Sequence, residues 1–357
     1  MRIAFRTDAS SEIGTGHLMR CLTLAVEMKR NKAQVCFICR NLPDYLSEML
    51  TLNGIELKSL IRTQDDTELD ELAHASWLGV SQTNDALESI HLLSGAQWDW
   101  IVIDHYALDF RWESKVRPSV EKLLVIDDIA DRKHDCDILL DQNYYADMEE
   151  RYKNLVPGHC QLLLGSRYAL LRSEFQKLHE KIKPHNGLVK RILIFFGGID
   201  NDNYTGLTIV ALSKIDLSGL CIDVVIGAQN PNREKIALSC VQHGYICHIQ
   251  TDKMAELMAA ADFAIGAGGS ATWERCCLAL PSLTLSLAYN QVGIAKGLNS
   301  LGAGQYFDSQ SFESENSLHK TIHDLIQDES KLEKMSKKAY SIVDGKGVNR
   351  LYKRLTQ

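Results

Sequence analysis

No stretch of this chain approaches the ~20 apolar residues that a membrane-spanning helix requires. The apolar run at the N-terminus is only Ile3–Phe5 and is followed by Arg6 and Asp8, which does not read as a signal peptide. The expected compartment is the cytoplasm, with no membrane partner. Basic excess is also missing: 39 Lys and Arg stand against 46 Asp and Glu, a formal net charge of -7. That argues against nucleic acid, whose phosphates call for a basic surface. It leaves room for an anionic small ligand in one locally favourable pocket. Metal-ligand spacing is absent too. Cys36 and Cys39 form a C-x-x-C inside "VCFIC", a strand-like run that sends them to opposite faces, and no second pair completes a zinc site. Cys276 and Cys277 are adjacent within a helical pattern. The ten cysteines are therefore expected to be reduced thiols, with neither metal nor cofactor. No G-x-x-x-x-G-K-[ST] occurs, which excludes a P-loop. No clean G-x-G-x-x-G is followed by an acidic residue about twenty positions on, so support for a nicotinamide cofactor is weak.

What is present is a rhythm. Strand-like apolar runs occur at "RIAFR", "QVCFIC", "WIVID", "LLVID" and "DILLD", and helical spacing between the first two links Leu18, Cys21, Leu22, Ala25 and Met28. Alternation of this kind predicts parallel sheets of the βαβ type. A polar stretch with Pro184 and Gly187 interrupts it. The rhythm then restarts at "RILIFFGG", "CIDVVIG", "YICHI", "DFAIGAGG" and "PSLTLSL". The pattern predicts two α/β domains, 1–172 and 190–357, joined by a short helix and linker at 173–189. Ligands of open α/β sheets bind beyond the carboxyl ends of the strands, so the site is expected in a cleft where two such edges face each other.

Two glycine turns follow strands in the second domain. Gly197 and Gly198 end "LIFFGG"; Gly266, Gly268, Gly269 and Ser270 separate a strand from a helix. Turns without side chains let backbone N–H groups and a helix N-terminus approach an oxyanion, and a diphosphate suits them. Glu274, one helical turn past Ser270, is placed to accept hydrogen bonds from a ribose diol. Asn290 and Gln291 follow the next strand and are candidates for sugar hydroxyls or amides. In the first domain, "FRTDASSEIGTGH" brings Gly14 and Gly16 to a histidine, His17, at a helix start. A phosphate cradle more usually carries Lys or Arg there. A histidine offers a base near neutral pH, and the helix N-terminus disfavours its charged form. Asp104, His105 and Tyr106 end another strand, placed either to orient His17 or to bind sugar. His134, His243 and His248 have no companion at ligand spacing and read as structural or surface residues.

The blocks "RTDASSEIGTGHLMRCLTLA", "IDHYALD", "LLGSRYALLRSEF", "FFGG" and "IGAGGSATWERCCLALP…NQ" resemble the PseG family of UDP-2,4-diacetamido-2,4,6-trideoxy-β-L-altropyranose hydrolases. The second-domain block is shared more widely with MurG-like N-acetylglucosaminyltransferases. The resemblance covers residue 1 to about 300. It implies a GT-B fold of two Rossmann-like domains whose parallel sheets face an interdomain cleft. It implies metal-free, inverting cleavage of a UDP-sugar by water in pseudaminic acid biosynthesis, with His17 as base and Glu274 as ribose ligand. A MurG-like transferase with a sugar hydroxyl as acceptor, and a non-catalytic nucleotide-sugar-binding protein, are the alternatives. No protein partner is required by any of the three.

Overall fold

A computed structural model describes residues 1–61, 70–286, 289–308 and 315–357, with backbone alone at 289–290 and 315–317. The chain divides into two compact units. The first comprises Met1–Asn143, Asp147–Leu170 and Val348–Gln357; the second comprises Tyr144–Ala146 and Leu171–Gly347.

The first unit is built on seven strands: β1 (Arg2–Thr7), β2 (Gln34–Cys39), β3 (Glu56–Ser59), β4 (Trp100–Asp104), β5 (Lys122–Ile126), β6 (Ile138–Asp141) and β7 (Gln161–Leu164). Their order is β3-β2-β1-β4-β5-β6-β7, and every ladder is parallel. Parallel sheets are covered on both faces, so their strands are continuously apolar. Alternate residues confirm it here. Phe5, Phe37 and Val102 enter one buried cluster, whereas Ala4, Ile38 and Ile103 enter another. Cys36 and Cys39 fall into different clusters by the same alternation, and all ten cysteines are free thiols.

The second unit holds β8 (Arg191–Phe195), β9 (Cys221–Ile226), β10 (Ile246–Ile249), β11 (Phe263–Ala267), β12 (Ser282–Leu285) and β13 (Gln305–Phe307). Their order is β10-β9-β8-β11-β12-β13, again parallel throughout. In each sheet the order reverses once: between β1 and β4, and between β8 and β11. Crossover connections there leave in opposite directions and open a crevice beyond the strand ends. The loops after β1, β4, β8 and β11 hold most of the candidate residues.

Two boundaries differ from the sequence reading. The segment 173–189 carries the expected short helix, Ser173–His179, but that helix is part of the second unit, where it buries Phe175 and His179. The C-terminal helix Gly347–Leu355 belongs to the first unit. Val348, Leu351 and Leu355 make an apolar stripe at helical spacing that joins the β1–β2 core cluster, and Trp100 Nε1 donates to the Leu355 carbonyl at 3.1 Å. Its charged residues masked that stripe. Truncating fully buried Leu351 to Ala should cost about 2–5 kcal/mol in urea unfolding followed by tryptophan fluorescence, since Trp77, Trp98, Trp100 and Trp112 all lie in the first unit. A change within experimental error would detach the helix from that core.

Candidate active site

In the first unit, parallel register sets Thr7, the last residue of β1, beside Asp104, the last of β4. The chain leaving β1 turns at Ser10–Gly14. Gly14 adopts φ +76°, a left-handed conformation that favours glycine, and its N–H donates to the Ser10 carbonyl at 2.9 Å. The helix Gly16–Arg30 starts at once, without a side-chain cap. Its first turn delivers His17 to Asp104: Nδ1 lies 2.6 Å from Oδ1. Arg20, three residues on and so on the same helical face, grips the same carboxylate through Nε at 2.6 Å and Nη2 at 2.7 Å. Its Nη1 reaches Asp128 Oδ2 at 2.9 Å.

This arrangement fixes the His17 tautomer. The Asp104 carboxylate is held ionised by Arg20 and only accepts, so a 2.6 Å contact requires the hydrogen on His17 Nδ1. Arg20 Nη2 lies farther from that nitrogen, at 3.3 Å, and does not compete. In the neutral tautomer with this hydrogen, Nε2 is the ring nitrogen that carries the lone pair. The His17 side chain retains 10% exposure, which leaves part of the ring accessible. Tyr106 packs edge-on at a ring separation of 4.6 Å and donates its hydroxyl to Asp128. Trp77 stacks on Tyr106 at 5.6 Å and meets His17 at 6.3 Å. His105 takes other partners. Its Nδ1 accepts the Ala107 N–H at 3.1 Å, and Nε2 lies 3.2 Å from buried Asp8 Oδ2. Burial lowers its pKa, so it is a neutral interior histidine rather than a neighbour of His17.

In the second unit, Gly197 (φ +96°) and Gly198 follow β8, and a side chain on either would meet open space. Phe195 pairs with Gly266, where any side chain would collide with the Phe195 carbonyl. Gly269 has φ +90° and ψ -157° and leads into the helix Ser270–Cys277, whose start has no side-chain cap. A Cβ on Gly268 would come 3.0 Å from Gln291 Cβ, so the structure brings Gln291 to this turn. Asn290 opens the helix Tyr289–Ser300, but its side chain lies outside the described residues. Glu274 retains 19% side-chain exposure, and Arg172 Nη2 stands 3.8 Å from its Oε1. Burial raises the Glu274 pKa, against the pull of Arg172 and Arg275. Among the described residues no group of acidic, histidine or cysteine side chains is arranged to hold a metal ion.

A UDP-2,4-diacetamido-2,4,6-trideoxy-β-L-altropyranose hydrolase of Campylobacter jejuni is 30% identical over 260 residues, spanning 72% of this chain and 81% of that protein. The chain belongs to this hydrolase family. Residues 196–355 also match the glycosyltransferase family 28 C-terminal domain. The spore coat polysaccharide biosynthesis protein SpsG of Bacillus subtilis is 27% identical over 58% of this chain and 61% of its own. Among solved structures, Acinetobacter baumannii MurG superposes with a TM-score of 0.66 at 13% identity over 99% of both chains. That likeness identifies the fold as GT-B.

Sequence reasoning missed Arg20, Trp77, Asp128 and Arg172. Arg20 was accessible by its three-residue spacing from His17. Trp77 and Asp128 carried no spacing signal, since they reach the site through tertiary packing. Burial alone would raise the Asp104 carboxyl, but the Arg20 guanidinium and the His17 ring outweigh it and hold it well below the usual carboxylate range. Because the folded value lies below the unfolded one, ionised Asp104 stabilises the fold above the usual range, and that contribution disappears as pH falls through the folded value. Unfolding free energy should therefore drop more steeply between about pH 5 and pH 3 in the wild type than in Asp104→Asn. Parallel curves would mean that this carboxylate is not held by the pair.

Proposed function

We propose that this chain processes UDP-sugars, and specifically that it hydrolyses UDP-2,4-diacetamido-2,4,6-trideoxy-β-L-altropyranose to UDP and the free sugar, a step of pseudaminic acid biosynthesis. The observation that carries the reading is the His17–Asp104–Arg20 arrangement in a chain of this hydrolase family. A water molecule attacks the anomeric carbon and gives its proton to His17 Nε2. The bond from that carbon to the UDP oxygen breaks with its electron pair leaving on UDP, and configuration inverts. Asp104 holds the Nδ1 proton throughout and stabilises the imidazolium that forms, while Arg20 keeps Asp104 ionised. The transition state resembles an oxocarbenium ion. UDP is a good leaving group, so one base suffices where glycosidases use two carboxylates.

The other half of the chemistry is charge on the diphosphate. The turns at Gly197–Gly198 and Gly266–Ser270 are suited to meet it with backbone N–H groups. Glu274 accepts from the ribose hydroxyls, and Gln291 lies beside the turn for a further polar contact. A second reading is favoured by the glycosyltransferase match: transfer of the sugar to an acceptor hydroxyl. Incubation with the UDP-sugar in the absence of any acceptor separates the two, since only the hydrolase releases UDP at full rate.

The base and the nucleotide site should also separate on mutation. His17→Ala is expected to lower turnover roughly 10²–10⁴-fold, about 3–5 kcal/mol, with UDP affinity unchanged. Glu274→Ala should weaken UDP binding by about 2–4 kcal/mol in calorimetric titration. Wild-type UDP affinity in Glu274→Ala, or lost UDP affinity with intact turnover in His17→Ala, would refute these roles.

A further inference from the structure

Among the described residues five arginines are buried almost completely, and four of them are matched. Arg6 pairs with Asp8 and Asp85, Arg20 with Asp104 and Asp128, Arg40 with Asp85 and Glu88, and Arg132 with Asp127 and Asp131. Arg275 is different. It is 1% exposed, yet among the described residues no carboxylate lies within ion-pair distance of it. Its Nη2 donates to neutral groups only: the Ala267 carbonyl at 2.8 Å, and the Thr272 and Thr284 hydroxyls at 3.3 Å each. Its Nε is buried with no acceptor. Adjacent Glu274 attracts it at longer range, but burial dominates and pulls its pKa down to about 10. Arg275 thus remains a cation at neutral pH with no carboxylate in contact, Glu274 acting only at longer range. Burying a charge unpaired is among the most costly arrangements a fold can contain.

Its position suggests what the missing partner is. The guanidinium lies directly under the turn after β11. Nη2 holds the Ala267 carbonyl, and Nη1 lies 3.2 Å from where a side chain on Gly266 would begin. The uncapped start of the helix Ser270–Cys277 adds a further positive end at the same turn. We propose that Arg275 is a built-in counter-charge for the phosphate groups of a nucleoside diphosphate, acting through the Gly266–Ser270 turn from below rather than by direct contact. It is a positioning residue. It fixes the turn through Ala267 and supplies the positive potential that metal ions give in many other diphosphate sites. The inference rests on reading that turn as the diphosphate site, and it adds a selectivity: the site should sense phosphate charge, not the nucleoside.

The test is calorimetric titration of the full chain and of Arg275→Gln and Arg275→Lys with UDP and with inorganic pyrophosphate, and ligand-observed NMR titration with uridine. Arg275→Gln should lose roughly tenfold or more in affinity for UDP and for pyrophosphate, with uridine affinity unchanged. Arg275→Lys, which keeps the charge but not the fork, should bind UDP and pyrophosphate more tightly than Arg275→Gln, with uridine affinity unchanged. Equal loss for UDP and uridine, or a Lys variant as weak as the Gln variant, would make Arg275 a structural brace and overturn the proposal. Arginine-dependent binding of pyrophosphate without any binding of UDP or uridine would uphold Arg275 as an anion counter-charge and refute the nucleotide reading. A wild-type chain that binds none of the three overturns both.

Discussion

The first unit's chemistry depends on one buried carboxylate. Asp104 ends a fully buried strand at the point where the sheet order reverses, and it is met from one helix by an imidazole and a guanidinium. Either partner alone would leave the site unbalanced. Without Arg20, burial would favour protonated Asp104, which could then donate to His17 and reverse the ring tautomer. Without Asp104, Arg20 would press a positive charge against the ring. Together they make a group that only accepts, beside a histidine that must donate through Nδ1, which turns Nε2, the atom assigned the base role in the proposed mechanism, away from the carboxylate. Asp128 extends the network by taking the outer end of Arg20 and the hydroxyl of Tyr106, which fixes the ring packed edge-on against His17.

The second unit solves a different electrostatic problem by different means. It arranges backbone and a single deep cation around a turn stripped of side chains. Gly266 is required because β8 and β11 run too close for a Cβ, and Gly269 because its backbone conformation is one that glycine adopts at little cost. These constraints come from the strand register and the helix start, not from the ligand. They leave the same surface open to an oxyanion. A pair of switch-point loops in each sheet therefore presents distinct groups, a histidine with its carboxylate in one unit and a glycine turn in the other, which the proposed function uses for proton acceptance and anion stabilisation.

Much of this was legible in the sequence, and the exceptions follow physical lines. Strands buried on both faces, such as "WIVID" and "RILIF", announce themselves as apolar runs. The strands at β3, β7 and β13 do not, because they are edge strands of only three or four residues and most of their side chains are not fully buried. His17, Asp104 and the glycine turns were visible as residues whose type is unusual for their place. Arg20 was visible only by helical spacing, and Arg275 resembled any helix arginine until its burial without a carboxylate was known. The C-terminal helix was misassigned because sequence order says nothing about which core a terminal amphipathic stripe will find.

The central claim is that His17 directs water to the anomeric carbon and not to phosphorus. Attack at phosphorus usually calls for metal ions and gathered carboxylates to collect charge on the phosphoryl oxygens, whereas the proposed mechanism uses a histidine and a glycine turn. The most direct measurement is hydrolysis of the UDP-sugar in water enriched with heavy oxygen, with both products analysed by mass spectrometry and the sugar by NMR before mutarotation. The account predicts label on the anomeric hydroxyl, none on UDP, and the inverted anomer as first product. Label on UDP, or release of UMP with a sugar phosphate, would contradict it.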